Sequence, residues 1–121
     1  TLPVCAMLDA RKKEVYACRY SWEHGRPRPL TMEKVGKPES IVDECNEPTL
    51  FVGDGALVYR PLIVRQLGDR AHFAPDYLNL PRAAGAALLA FDAWQRGEGK
   101  PPEQVLPVYL RASEAELNWQ G

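Results

Sequence analysis

The sequence predicts an α/β fold, a mixed sheet flanked by helices, and three observations carry that expectation. Two short β-forming runs, residues 4–10 and 14–20, open the chain on either side of a charged turn. A short apolar run, residues 49–52, stops at Gly53-Asp54-Gly55 and gives way to helical spacing. An alanine-rich segment with Pro81 at its start and Gly97 at its end reads as a long helix.

Each element can be justified in order. VCAMLDA (4–10) and EVYACRY (14–20) flank Arg11, Lys12 and Lys13 and predict a β-hairpin, apolar on both faces and so expected inside a sheet covered on both sides. Val4, Ala6, Leu8, Val15 and Ala17 are assigned to one face, and Cys5, Met7, Tyr16, Cys18 and Tyr20 to the other. The turn lacks an Asn-Gly pair, which leaves the register open; one register sets Cys5 opposite Cys18. Residues 22–29 (WEHGRPRP) read as a turn, and the alternation in 30–35 (LTMEKV) predicts a third strand. A short helix over 38–44 begins at Pro38 and buries Ile41, Val42 and Cys45. The strand 49–52 precedes a helix over about 56–67, with Asp54 as its N-cap, a kink or restart near Arg60 imposed by Pro61, and Gly68 as its stop. Residues 72–74 predict a short strand and 76–80 a loop. In the helix over 81–96, Ala84, Ala87, Leu88 and Phe91 share a face, and the small side chains suit close packing against a sheet. Residues 97–104 form a linker, 105–110 (VLPVYL) an anchored extended segment, and 112–121 a polar tail.

Composition sets bounds on function. The chain has 121 residues, enough for one domain with a core of its own. Its 15 basic and 16 acidic side chains give a formal charge of −1, without the basic footprint of a protein that grips nucleic acid alone. Three cysteines, Cys5, Cys18 and Cys45, form no CxxC pair, so a zinc or thioredoxin-like site has no support and free thiols in a reducing cytosol are expected. No run of 18 apolar residues predicts a membrane span, and no signal peptide is visible. The opening Thr1-Leu2-Pro3, leading at once into a strand, reads as the start of a fragment.

Two places invite chemistry. Asp9, at the end of the first strand and across the hairpin from Glu14, is where two carboxylates would share a cation. A third converging acid is missing, and the competing expectation is that Asp9 accepts hydrogen bonds from the turn amides or pairs with Arg11. Gly53-Asp54-Gly55 joins a strand to a helix start, where free amides and a glycine backbone suit a phosphate. The string matches neither GxGxxG nor a Walker A loop, and turn-plus-cap is the structural alternative. His24 and His72 lack metal spacing, no serine sits in a GxSxG setting, and Trp22, Trp94 and Trp119 read as core or interface residues. No catalytic residue and no metal site is assigned.

The order strand, strand, strand, helix, strand, helix, helix resembles the ribonuclease-H-like unit of the actin-like ATPase superfamily. Three strings narrow the resemblance: Leu8-Asp9-Ala10-Arg11 with Glu14-Val15-Tyr16, then Val52-Gly53-Asp54-Gly55-Ala56, then Pro107-Val108-Tyr109-Leu110-Arg111. Together they are similar to the second half of the TsaB (YeaZ) family, once called glycoprotease-like or M22 peptidase-like. The resemblance implies that residues 1–111 are the second actin-like subdomain, with the first absent. It implies a cytoplasmic, non-catalytic subunit of the machinery that makes threonylcarbamoyladenosine in tRNA. A TsaD-type catalytic subunit and a TsaE-type ATPase would be its partners, holding the ATP and metal that this chain lacks. tRNA would be met only through the complex, and the full-length protein is a candidate homodimer. Asp9, Arg11, Glu14, Tyr16, Pro107, Tyr109 and Arg111 would be structural motif residues, and Gly53, Asp54 and Gly55 a vestigial nucleotide turn. The family's hairpins often carry glycine where Lys13 stands. The alternative is an actin-like ATPase or phosphotransferase half-domain using Asp9 and the glycine turn.

Overall fold

The structure, a computed structural model, describes residues 1–118. It divides into two compact units, Thr1–Leu80 and Pro81–Gly121. The first holds a mixed sheet. Strands β1 (Val4–Asp9), β2 (Val15–Glu23), β3 (Arg26–Pro29), β4 (Lys34–Gly36), β5 (Thr49–Val52) and β6 (Ala71–Phe73) lie in the order β3-β2-β1-β5-β6, with β4 also paired to β2. The pairs β1/β2, β2/β3 and β2/β4 are antiparallel, whereas β1/β5 and β5/β6 are parallel. The parallel pairs need crossovers, which the helices supply.

Helices α1 (Pro38–Asp43), α2 (Asp54–Val58) and α3 (Arg60–Leu67) pack on one face of the sheet. Cys5, Met7, Val15, Ala17 and Phe51 meet Ile41, Val42, Ala56, Ile63 and Leu67 there in one buried cluster. Each fully buried aliphatic or aromatic side chain contributes about 1.5–3 kcal/mol of transfer free energy, so this face dominates the unit's stability. Phe73 extends it, 5.9 Å from Phe51 between ring centroids and capped by the Arg60 guanidinium at 4.5 Å.

The hairpin differs from its sequence-based assignment by one residue. Met7 pairs with Ala17 and Leu8 with Tyr16, so Cys5 and Met7 share the buried face with Val15 and Ala17. Cys18 opposes Ala6, and Cys5 opposes Arg19, so Cys5 does not face Cys18. Because side chains alternate, a shift of one residue exchanges the faces. The tip decides the register: Arg11, Lys12 and Lys13 all have positive φ, and Ala10 N–H and Glu14 O close the loop at 2.9 Å. The face bearing Val4, Ala6, Tyr16 and Tyr20 is only half-buried and Leu8 is 43% exposed, so the expected cover on both sides is not met.

The third strand also lies elsewhere. His24 (φ 51°) and Gly25 (φ 78°) form a two-residue turn with positive φ at both positions, so β2 runs straight into β3. Pro27 and Pro29 are tolerated because β3 is the edge strand. Of the third strand predicted over 30–35, only Lys34 and Val35 are extended, within β4.

In the second unit, α4 (Ala83–Gln95) ends as Gly97 turns to φ 74°. Arg96 clasps that end through Asp92 and Glu98. No α4 residue is buried. The expected extended segment at 105–110 has no regular structure, and Val108 and Tyr109 are 76% and 84% exposed. Within the predicted tail, α5 (Glu114–Asn118) starts at a capping box: Ser113 N–H donates to Glu116 Oε2 at 2.6 Å and Glu116 N–H to Ser113 Oγ at 3.2 Å. Trp119 lies outside the described residues. No helix among the described residues is long and apolar enough to cross a membrane.

Candidate functional site

The two candidate places converge at one spot, where the carboxyl end of β1 meets the start of α2. Gly53 turns the chain with φ 111°, and a Cβ there would stand 2.1 Å from the Met7 carbonyl oxygen. A Cβ on Gly55 would stand 2.9 Å from the Leu8 carbonyl carbon. Both glycines are therefore required by contact with β1 itself. The close backbone approach that glycine permits is used by the protein's own strand.

The hydrogen bonds follow from that contact. Asp54 is the first residue of α2, not its N-cap; Gly53 holds that position and no side chain caps the helix. The Asp54 carboxylate reaches across to β1, where Asp9 N–H donates to Oδ1 at 2.9 Å. The Gly53 amide, which the sequence offers to a phosphate, donates to Asn79 Oδ1 at 2.8 Å. Asn79 is buried, and its Nδ2 donates to the Pro75 carbonyl at 3.3 Å. One amide side chain thus joins the turn to the loop after β6.

Asp9 is spent locally. Arg11 N–H donates to its Oδ1 at 2.9 Å, and the exposed Arg11 guanidinium lies 3.4 Å from its Oδ2. Asp9 lies opposite Val15, and Glu14 follows the tip, half-buried. No group of three or more His, Cys, Asp and Glu side chains fit to hold a metal occurs among the described residues. Pro107 and Tyr109 are exposed and Arg111 is half-buried, in the second unit. His24 and His72 are both exposed, on β-turn and strand respectively.

Two side chains that the sequence reading passed over have structural weight. Asn79 gives no pattern in sequence; only its burial reveals it. Arg19 does leave a signal, a cation inside an otherwise apolar strand. Its Nη1 donates to the Glu44 carbonyl at 2.9 Å and its Nη2 to Glu47 Oε1 at 3.1 Å, fastening β2 to the end of α1.

No protein-family model matches the chain, and no curated protein does. Solved structures do match. The chain is similar to an uncharacterized protein with similarity to peptidase YEAZ from Pseudomonas aeruginosa, with 35% identity and a TM-score of 0.71 over 90% of this chain and 49% of that one. It is likewise similar to YeaZ from Pseudomonas aeruginosa, with 31% identity and a TM-score of 0.66 over 88% of this chain and 49% of that one. The chain spans about half the length of each. Across that half, with its mixed sheet and helices in the order the motifs imply, the chain belongs to the YeaZ (TsaB-type) family.

Proposed function

We propose that this chain is the second half of a TsaB-type scaffold subunit that acts through a TsaD-type catalytic partner in making threonylcarbamoyladenosine in tRNA. The observation that supports the reading most directly is how its polar groups are spent. The Asp54 carboxylate and the Gly53 amide hold β1, α2 and the loop after β6 together, and the Asp9 carboxylate braces the hairpin turn at Arg11. A site that binds nucleotide needs such groups aimed at ligand; here they brace architecture. ATP and metal belong, on this reading, to the partner subunits, with a TsaE-type ATPase among them. tRNA is reached through the complex, in the cytoplasm, and the full-length protein is a candidate homodimer. The peptidase wording attached to the relatives is not carried over.

The test is co-purification of the full-length parent with a TsaD-type protein from the same genome, and rescue of the modified adenosine in cells lacking their own TsaB-type subunit. Association and rescue are expected. Absence of both, or heat on titrating the chain with magnesium ATP, would sink the proposal.

A further inference from the structure

The tip of the β1/β2 hairpin carries its charge on a strained backbone. Arg11, Lys12 and Lys13 have φ of 61°, 52° and 61°, three consecutive non-glycine residues in the left-handed region. Two backbone bonds of 2.9 Å, Glu14 N–H to the Arg11 carbonyl and Ala10 N–H to the Glu14 carbonyl, hold the turn closed. Glycine would sit there without strain, yet the chain places a cation at each position. All three cations are exposed, whereas the acids at the base of the turn, Asp9 and Glu14, are half-buried. Arg11 stays 87% exposed even with its guanidinium 3.4 Å from Asp9 Oδ2. None of the three belongs to the buried core, so packing does not account for them. Exposed side chains that keep a strained backbone signal a task outside the fold.

We propose that the Arg11-Lys12-Lys13 tip binds the phosphates on either side of the major groove of a double-stranded RNA stem. The argument from shape is direct. Successive residues of a left-handed turn send their side chains out about 100° apart around its axis, the mirror image of an α-helix. Three cations therefore spread over about 200°, more than one side of the tip. A flat acidic surface meets one or two of them. Phosphates that flank the tip on both sides meet all three, and the deep, narrow major groove of an RNA helix is bordered in that way. The choice of RNA rests on the proposed function, in which tRNA is the substrate of the complex. Three cations are too few to grip RNA alone at physiological salt, which agrees with the formal charge of −1; inside a complex they add to what a partner holds.

The whole chain is titrated at about 50 mM salt, where phosphate contacts are strong, into a labelled RNA duplex of about 16 base pairs, and binding is followed by fluorescence anisotropy. Binding is expected. Lys12→Gly and Lys13→Gly together should weaken it by about tenfold or more and lower the slope of log affinity against log salt by about 2. Glycine accepts both φ values, so this variant folds and its lost binding reports the charges. Arg26→Gln with Arg28→Gln removes the same charge at the other end of β2. That end lies roughly 25 Å away, beyond the Debye length, so binding should stay within about twofold. No binding at low salt, equal losses in the two double variants, or equal affinity for a single strand with the same number of phosphates would overturn the proposal. So would equal binding of polyglutamate, which would assign the tip to an acidic protein surface. Failure of the full-length parent to associate with a TsaD-type protein would remove the functional reading and leave RNA binding by the tip standing; absent RNA binding with association and rescue intact would do the reverse.

Discussion

Asp54 stands inside the first turn of α2, yet its carboxylate serves β1 by accepting the Asp9 amide. Removing it leaves that amide without its partner, and a lost bond of this kind costs about 1–2 kcal/mol in a part-buried place. Asp54→Ala is therefore expected to lower the unfolding free energy obtained from urea titration by that amount, and Asp54→Asn, which keeps an acceptor oxygen, by less than half of it. Equal losses would show that the charge, not the hydrogen bond, matters. Gly53 is bound more tightly still, by φ 111° and by the Met7 carbonyl oxygen 2.1 Å from any Cβ. Gly53→Ala is expected to cost at least about 3 kcal/mol, because the obstacle is backbone that cannot swing aside. Gly25 has positive φ but open space around it, so Gly25→Ala should cost only about 1 kcal/mol. Unfolding curves of the two variants side by side check the contrast. Near-equal midpoints would mean that β1 and α2 separate easily. At this scale the glycine turn was legible as a place where something comes close, but not what comes close: GDG spells the permission, and only the fold shows that β1 uses it.

Elements were legible where periodicity speaks and illegible where a loop decides. The helix break near Arg60 could be read from Pro61, since a proline cannot donate within a helix; α2 and α3 part at Tyr59. The hairpin register could not, because it depends on three consecutive left-handed residues that nothing in Arg11-Lys12-Lys13 announces. Strand β3 was hidden by its prolines, which argue against a central strand but not against an edge. The left-handed tip carries a cost that can be measured. Each non-glycine residue there costs roughly 1–2 kcal/mol, and glycine loses about 0.5–1 kcal/mol through its greater freedom when unfolded. Lys13→Gly, at φ 61°, is thus expected to stabilise the chain by about 0.5–1 kcal/mol, seen as a higher melting temperature. A lower one would show that the Lys13 side chain contributes more than its backbone costs.

At the scale of the whole molecule, α1 is tied to the sheet by charge as well as by apolar burial, and this makes stability depend on pH. Arg19 reaches the Glu44 carbonyl and the Glu47 carboxylate, and Lys34 pairs with Glu44, so cations of β2 and β4 meet anionic groups at the end of α1. The interaction with Cys5 and then the charge of Arg19 lower the Cys45 thiol from 9.0 to about 7, against desolvation and Glu44. Its folded pKa lies below its unfolded one. Between about 7 and 9.0 the folded chain therefore holds fewer protons than the unfolded chain, and stability rises with pH. Below about 7 both states are protonated and the gain is gone. Cys5 acts in the opposite sense: Cys45 and then burial hold it protonated above 9.0, where the unfolded thiol ionises, so stability falls again on the alkaline side. The reduced chain should thus be most stable near pH 9, above the usual optimum between about 5 and 8. Urea midpoints at about pH 6, 9 and 10.5, under reducing conditions, check this, with Cys45→Ala expected to flatten the rise on the acid side. A midpoint that falls steadily from pH 7 to 9 would mean that Arg19 serves Glu44 and Glu47 alone and leaves the thiols unaided.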